Sequence, residues 1–383
     1  MNRKTYLLFV VLAFLIFWAT SNGDTPYNYF TRLADAFVEG KLFITDAPSW
    51  LSELVPIGNH RFYVVQPPMP ALLAVPFVFV FGKEFPQQIL AHLVGAFIVL
   101  ATVKIAEKFS KRVDVAVWSA ILAGVGTIMW YEAATGSVWY LGQITAAVFL
   151  LWAVNESLGS RRLFLIGLLI GAAYLSRVHT ILSIFFFLYL LKEKLFKFKN
   201  VLRFGLGLSV FGGFNAFYNL ARWGVPWDKG YFLIPGILEE PWFSKGMLNI
   251  SYIPAHLELL FWRLPNFSSE FPYVTPSWFG LAIWITTPVF VVALRNNIKK
   301  ADVVFAWLSI FLIFGILSLR GGTGWTQFGY RYAVDFYPFL FYLTIKRVGK
   351  TGVGWLHWVL LILGVVVNLW GVLWINKFGW VGY

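Results

Sequence analysis

Long apolar runs fill most of this 383-residue chain, separated by short polar segments that carry most of its charge. A helix needs about 20 predominantly apolar residues to cross a bilayer, and runs near that length recur from end to end. The pattern predicts spans over 5–21, 88–107, 113–131, 138–156, 163–175, 178–191, 201–220, 277–294, 303–319, 333–344 and 353–375, about eleven crossings. One further run, 67–81, is short and holds Pro67, Pro68, Pro70 and Pro76. Proline removes a backbone donor and breaks helix interiors, so this run reads as a re-entrant or interfacial helix. No segment shows the short alternation of a membrane β-strand. With no internal repeat or low-complexity tract, the expected architecture is one all-α polytopic membrane domain over 1–383.

Charge sets the expected orientation. With the amino terminus inside, the inner segments hold 19 of the 31 Lys and Arg residues and five acids, whereas the outer segments hold 12 basic and 13 acidic residues. Counting 67–81 as a crossing would invert all that follows and put the basic cluster at 192–203 outside, against the positive-inside rule. Two large outer loops result, about 22–87 and 221–276, with a smaller one over 320–332. The expectation is a multi-pass protein of the cytoplasmic membrane with a cytoplasmic amino terminus and an external active site. The first run, behind Arg3 and Lys4, has the look of a leader peptide, but Ser21-Asn22-Gly23-Asp24 offers no convincing cleavage site, so it reads as a retained span.

Composition supports the membrane class. At 59% hydrophobic and 13% charged, the chain is more apolar than soluble domains, which run at about 45–50%. The net charge of +13 belongs to the inner loops, so no nucleic-acid partner is expected. The absence of Cys excludes disulfides, thiolate metal sites and cysteine nucleophiles.

Candidate chemistry gathers in the outer loops. Thr25-Pro26 offers an N-cap and a first helical position. Phe30, Leu33, Ala34, Phe37 and Val38 then share one face, Arg32, Asp35 and Glu39 the other, and Gly40 can end the helix. Asp24, where a span meets the outer surface, can stay ionised while facing a partly dehydrated cavity, which suits a general base for a hydroxyl. The plainer account makes Asp24 a solvated charge on a connector. Asp35 and Asp46 are rivals that read as solvated. Gln66 precedes the proline pair, whose stiff extended backbone suits a turn beside a lipid groove. Arg177 and His179 join two short apolar runs, and such charges are costly unless they face a cavity or partner; snorkelling of Arg177 is the alternative. The aromatics of the second large loop suit sugar stacking or an interfacial belt. His256 and Glu258 are too few for a metal site, and no metal ligands are assigned. In the segment 321–335, glycines allow close backbone approach and Arg331, between Tyr330 and Tyr332, is placed to bind an anion. Asp335 could orient Arg331 across one helical turn, or the two could form a merely local pair.

The acid after the first span, the proline pair closing the first outer loop and the Gly-rich Tyr-Arg-Tyr segment occur in one order, as do GLLIGAAYLSR before His179 and YNLARWGVPWDKGY. In these features the chain resembles the GT-C glycosyltransferases, more narrowly prokaryotic members of the family 39 and dolichyl-phosphate-mannose-type mannosyltransferase group. The resemblance implies transfer of a sugar from a polyprenyl-phosphate carrier to a lipid, glycan or protein acceptor at the outer membrane face, with inversion. It implies Asp24 as base on the acceptor hydroxyl and Arg331 as holder of the carrier phosphate. Two departures stand out: Asp24 is followed by Thr25 rather than a second acid, which leaves a divalent cation (Mg or Mn) open, and Gln66 replaces a basic residue, a contact that Arg61 or Arg177 would supply. The alternative is a transporter or lipid flippase with Arg177, His179 and Arg331 along a path, but such proteins concentrate ionisable groups at the midplane of repeated halves.

Overall fold

The computed structural model describes residues 1–45, 47–324 and 326–381. Asp46 and Trp325, each within a motif named above, lie outside the described residues. The described chain is mostly helical.

The first helix, α1 (Arg3–Ala19), buries Ala13 and Phe17 and turns Leu7, Leu8, Val11, Leu12 and Leu15 outward. An apolar exterior of this kind is solvated by lipid rather than water. The outer loop that follows folds in three parts. The amphipathic helix α2 (Tyr29–Val38) begins three residues later than Thr25-Pro26 suggested, because the Thr25 hydroxyl accepts from the Tyr27 backbone N–H at 3.3 Å in a local turn. It buries Tyr29, Phe30, Leu33 and Ala34 and stops at Gly40, whose φ of 72° lies in the left-handed region. A small antiparallel sheet comes next, with β3 (Arg61–Val64) between β1 (Ile44–Thr45) and β2 (Leu54–Pro56). The proline-rich run forms α3 (Met69–Phe81), packed along α2.

The centre of the bundle is α4 (Gln87–Phe109) and α7 (Val138–Leu158), in contact with each other; α4 also packs on α1 and α5 (Val113–Val125), and α7 on α8 (Leu163–Ser176). Between α5 and α7 lies the short α6 (Met129–Thr135), bent by 54° from α5. After α9 (Ile184–Leu195), the long α10 (Phe198–Trp223) runs against α8 through two glycines: a Cβ on Gly167 would come 2.2 Å from the Phe204 carbonyl, and one on Gly207 2.0 Å from that of Phe164. Small residues here let the two backbones touch. The second outer loop contains 3-10 turns and α11 (Ile253–Phe261), followed by α12 (Ile283–Thr286), α13 (Ala301–Ser318), α14 (Tyr337–Thr351) and α15 (Trp355–Val372).

The protein is a multi-pass membrane protein. Among the described residues, four helices are long and apolar enough to cross a membrane, or five if α5 and α6 form one broken span. The expected eleven crossings are not reproduced by helix length. Apolar composition reports partition into lipid, not continuity of a helix. Thus 277–294 divides at Pro288 into α12 and a 3-10 segment, Pro288–Arg295, while 178–191 and 333–344 each begin in 3-10 turns, Val178–Ser183 and Arg331–Asp335.

Candidate active site

The three outer segments and the start of α7 enclose a cavity of about 240 Å³. The first loop contributes Tyr27 and Glu53, α7 contributes Trp139 and Tyr140, and the stretch after α13 contributes Arg320, Arg331 and Tyr332. The glycines of that stretch are needed where it turns. A Cβ on Gly321 would lie 2.2 Å from the Trp242 carbonyl, and Gly324, at φ 82°, leaves room for the Arg331 Nε, which a Cβ would approach to 3.0 Å.

Two guanidinium groups are the cavity's main charges. Arg320 lies 4.4 Å from the Tyr231 ring centre and Arg331 lies 5.0 Å from that of Tyr332. The Nε of each is buried without a hydrogen-bond partner, and among the described residues neither has a carboxylate within 4.0 Å. Arg320 is fixed through its backbone: the buried His256 ring bonds its carbonyl through Nε2 at 2.8 Å, while the Tyr330 hydroxyl donates to Nδ1 at 2.7 Å. This sets the neutral tautomer with the proton on Nε2, and burial lowers the His256 pKa below its ordinary value. Burial alone would raise the Tyr332 phenol; the charges of Arg320, Arg331 and Arg177 outweigh it and hold the group below the usual range.

The buried Asp335 does not pair with Arg331. Its Oδ2 accepts from Arg177 Nη2 at 2.9 Å and Nε at 3.2 Å, and sits 2.9 Å from His179 Nε2. The reason is local: Arg331–Asp335 is a 3-10 turn, in which side chains four residues apart diverge by about 120°, against roughly 40° in an α-helix. Arg331 is thereby left to the cavity. Arg177 and His179 stand behind its wall, with the Arg177 guanidinium 6.0 Å from the Tyr332 ring centre.

Other candidates are placed differently from expectation. Asp24 is exposed and does not line the cavity; its Oδ1 accepts from Gln88 Nε2 at 2.6 Å, three residues before the lining Tyr27. Arg61 lies over the Phe43 ring at 5.3 Å in the small sheet, where strand pairing carries it away from the cavity. Tyr330 is buried against His256 and Tyr332 alone of the pair reaches the lining. Gln66 is buried and donates to Glu53 Oε2 at 2.5 Å.

Glu53 and Arg320 were not singled out in the sequence. Arg320, a charge closing an apolar run just before two glycines, carried a usable signal. Glu53 carried none, since only the fold of β2 brings it to the cavity. The protein's own donors do not fit a divalent cation there: Arg320 and Arg331 repel one, Glu53 leaves one oxygen free, and such ions take about six oxygen ligands. Among the described residues no cluster of three or more Asp, Glu or His side chains is placed to hold a metal.

No family model matches the sequence, and no curated protein sequence does. Solved structures do match. ArnT from Cupriavidus metallidurans bound to undecaprenyl phosphate aligns with a TM-score of 0.54 at 12% identity, over 96% of this chain and 64% of that one. ArnT from the same organism in the apo state gives 0.50 and 14%, over 94% and 62%. The fold is that of ArnT. It is the GT-C fold expected from the sequence. At this identity the likeness to ArnT concerns the fold, and the chain spans a little under two thirds of the ArnT length.

Proposed function

We propose that this protein transfers a sugar from a polyprenyl-phosphate carrier to an acceptor hydroxyl at the outer face of the cytoplasmic membrane, with inversion. The observation that carries the reading is the pair Arg320 and Arg331, two cations without a carboxylate partner among the described residues, in one aromatic-walled cavity. The ArnT fold, crystallised with undecaprenyl phosphate in one of its members, supports a lipid phosphate as their anion.

In this scheme the two guanidinium forks hold the carrier phosphate and stabilise charge as it leaves. Asp24, exposed three residues before the lining Tyr27 and with Oδ2 unengaged by described donors, takes the proton of the acceptor arriving from outside. The acceptor oxygen forms a bond to the anomeric carbon, the bond from that carbon to the phosphate oxygen breaks, and its electron pair stays with the phosphate. A phosphate is a good leaving group, so orientation and one base suffice. Arg177, held by Asp335, supports Tyr332 and the local positive potential. The acceptor is a lipid, glycan or protein, and its class is set outside the cavity.

The test is transfer by the purified protein from radiolabelled undecaprenyl-phosphate sugars. Asp24→Asn is expected to lose at least ~100-fold in kcat with little change in KM, the range of one general base. Retention of full activity by Asp24→Asn would refute the base, and absence of transfer from every carrier by the parent protein would refute the reaction.

A further inference from the structure

Glu53 is held in an unusual way for a loop carboxylate. Its Oε2 accepts from Gln66 Nε2 at 2.5 Å, Trp139 Nε1 at 3.0 Å and Tyr231 OH at 3.0 Å, donors from the proline turn, α7 and the second outer loop. Its backbone N–H donates to the Tyr29 hydroxyl at 3.2 Å. The carboxylate plane is thus fixed, while no described donor engages Oε1 and no Lys or Arg approaches within 4.0 Å. The same cavity holds Arg320 and Arg331, also without carboxylate partners among the described residues. A purely structural carboxylate beside two cations that lack a described carboxylate partner would close onto them. Here the opposite charges line one space of about 240 Å³.

We propose that Glu53 is a specificity-determining residue that reads the transferred sugar. Oε1 offers two lone pairs to hydroxyl donors. The rings of Trp50, Trp139, Tyr27 and Tyr140 supply flat apolar faces for the C–H side of a pyranose or furanose. The arginines take the phosphate, and Glu53 takes adjacent hydroxyls of a neutral sugar. This assignment rests on the carrier-dependent transfer proposed above.

Glu53→Gln separates recognition from architecture. A glutamine can turn its carbonyl to the three donors that hold the present Oε2, but then shows the cavity an NH2 donor where the sugar needs an acceptor. Binding would be measured on the full-length protein in lipid nanodiscs, with bare undecaprenyl phosphate and with undecaprenyl phosphate carrying mannose, glucose or arabinose. Glu53→Gln is expected to weaken the preferred sugar-linked carrier by about ten- to hundred-fold, the worth of a hydrogen bond to a charged group, and to leave the bare carrier within about two-fold. Arg331→Ala should weaken both. Equal weakening of bare and sugar-linked carriers by Glu53→Gln, or weakening of neither, overturns the assignment, as does a parent protein that binds no sugar-linked carrier more tightly than the bare one. A parent protein that binds no carrier at all overturns the transfer reaction itself. Should Glu53→Gln not fold, Glu53→Asp, which withdraws the carboxylate by one methylene, is expected to show the same selective loss; loss of both ligands by a folded Glu53→Asp also overturns it.

Discussion

At the scale of single residues, geometry distinguishes cations that are satisfied from cations that are available. Arg177 is engaged by Asp335, and Arg222 spends its N–H groups on Val64 O, Tyr218 O and Asn219 Oδ1. Arg320 and Arg331 are left with buried Nε groups that have no partner among the described residues. Arg331→Ala should therefore lower affinity for undecaprenyl phosphate by roughly ten- to hundred-fold, read by direct binding, and Arg331→Lys should restore only part of it, because an ammonium keeps the charge but lacks the planar fork. Equal binding by the Lys variant and the parent would mean that charge alone matters. His256 gives a pH dependence whose direction is fixed. Its folded-state pKa is depressed by burial, so the stability contributed by the neutral ring is fully present above the ordinary value of about 6.5 and is lost as pH falls through the folded value. Protonation would place a proton on Nδ1 against the Tyr330 hydroxyl, near the charges of Arg320 and within ring contact of Tyr332. Thermal unfolding of the parent should weaken below that range, whereas His256→Gln should start lower at pH 7.5 and vary less with pH.

At the scale of elements, the sequence was most informative where one residue type has one physical meaning. Gly40 ends α2, and α4, α7, α8 and α10 each begin or end within a few residues of the apolar runs that predict them. It was least informative where tertiary contact decides. The 3-10 form of Arg331–Asp335 broke a helical Arg–Asp pair, and the three-stranded sheet that delivers Glu53 is too short to leave a two-residue period. Glycines show the same limit. Gly205 and Gly207 stand two apart on α10, yet a Cβ on Gly205 meets nothing within 4 Å, whereas one on Gly207 would strike the Phe164 carbonyl. Gly207→Ala is expected to cost about 1–3 kcal/mol by forcing α8 and α10 apart. Gly205→Ala should be neutral or stabilising by about 0.5–1 kcal/mol, since alanine favours the helix. Unfolding temperatures of the two variants in one detergent would compare them; similar gains in both would show that propensity, not close packing, governs this helix.

At the scale of the whole molecule, charge and cavity lie at opposite ends of the same helix. The amino-terminal end of α10 follows Lys192, Lys194 and Lys197 and includes Lys199 and Arg203, while its carboxy-terminal Arg222 bonds the Val64 carbonyl in the first loop. A helix of 26 residues is roughly 39 Å long, enough to exceed a hydrocarbon core of about 30 Å. Were α10 to cross the bilayer, the basic cluster and the cavity would face different sides, and the positive-inside rule predicts an external cavity. The absence of native Cys makes this directly measurable, because any introduced thiol reports alone. Cysteines at the exposed positions Lys199 and Ser244 should respond oppositely to a membrane-impermeant maleimide added to intact cells. Ser244→Cys should label, and Lys199→Cys should label only after permeabilisation. The reverse pattern would put the cavity among cytoplasmic nucleotide sugars and remove the reason for a lipid-carried donor. Labelling of both in intact cells would show instead that α10 does not separate two compartments.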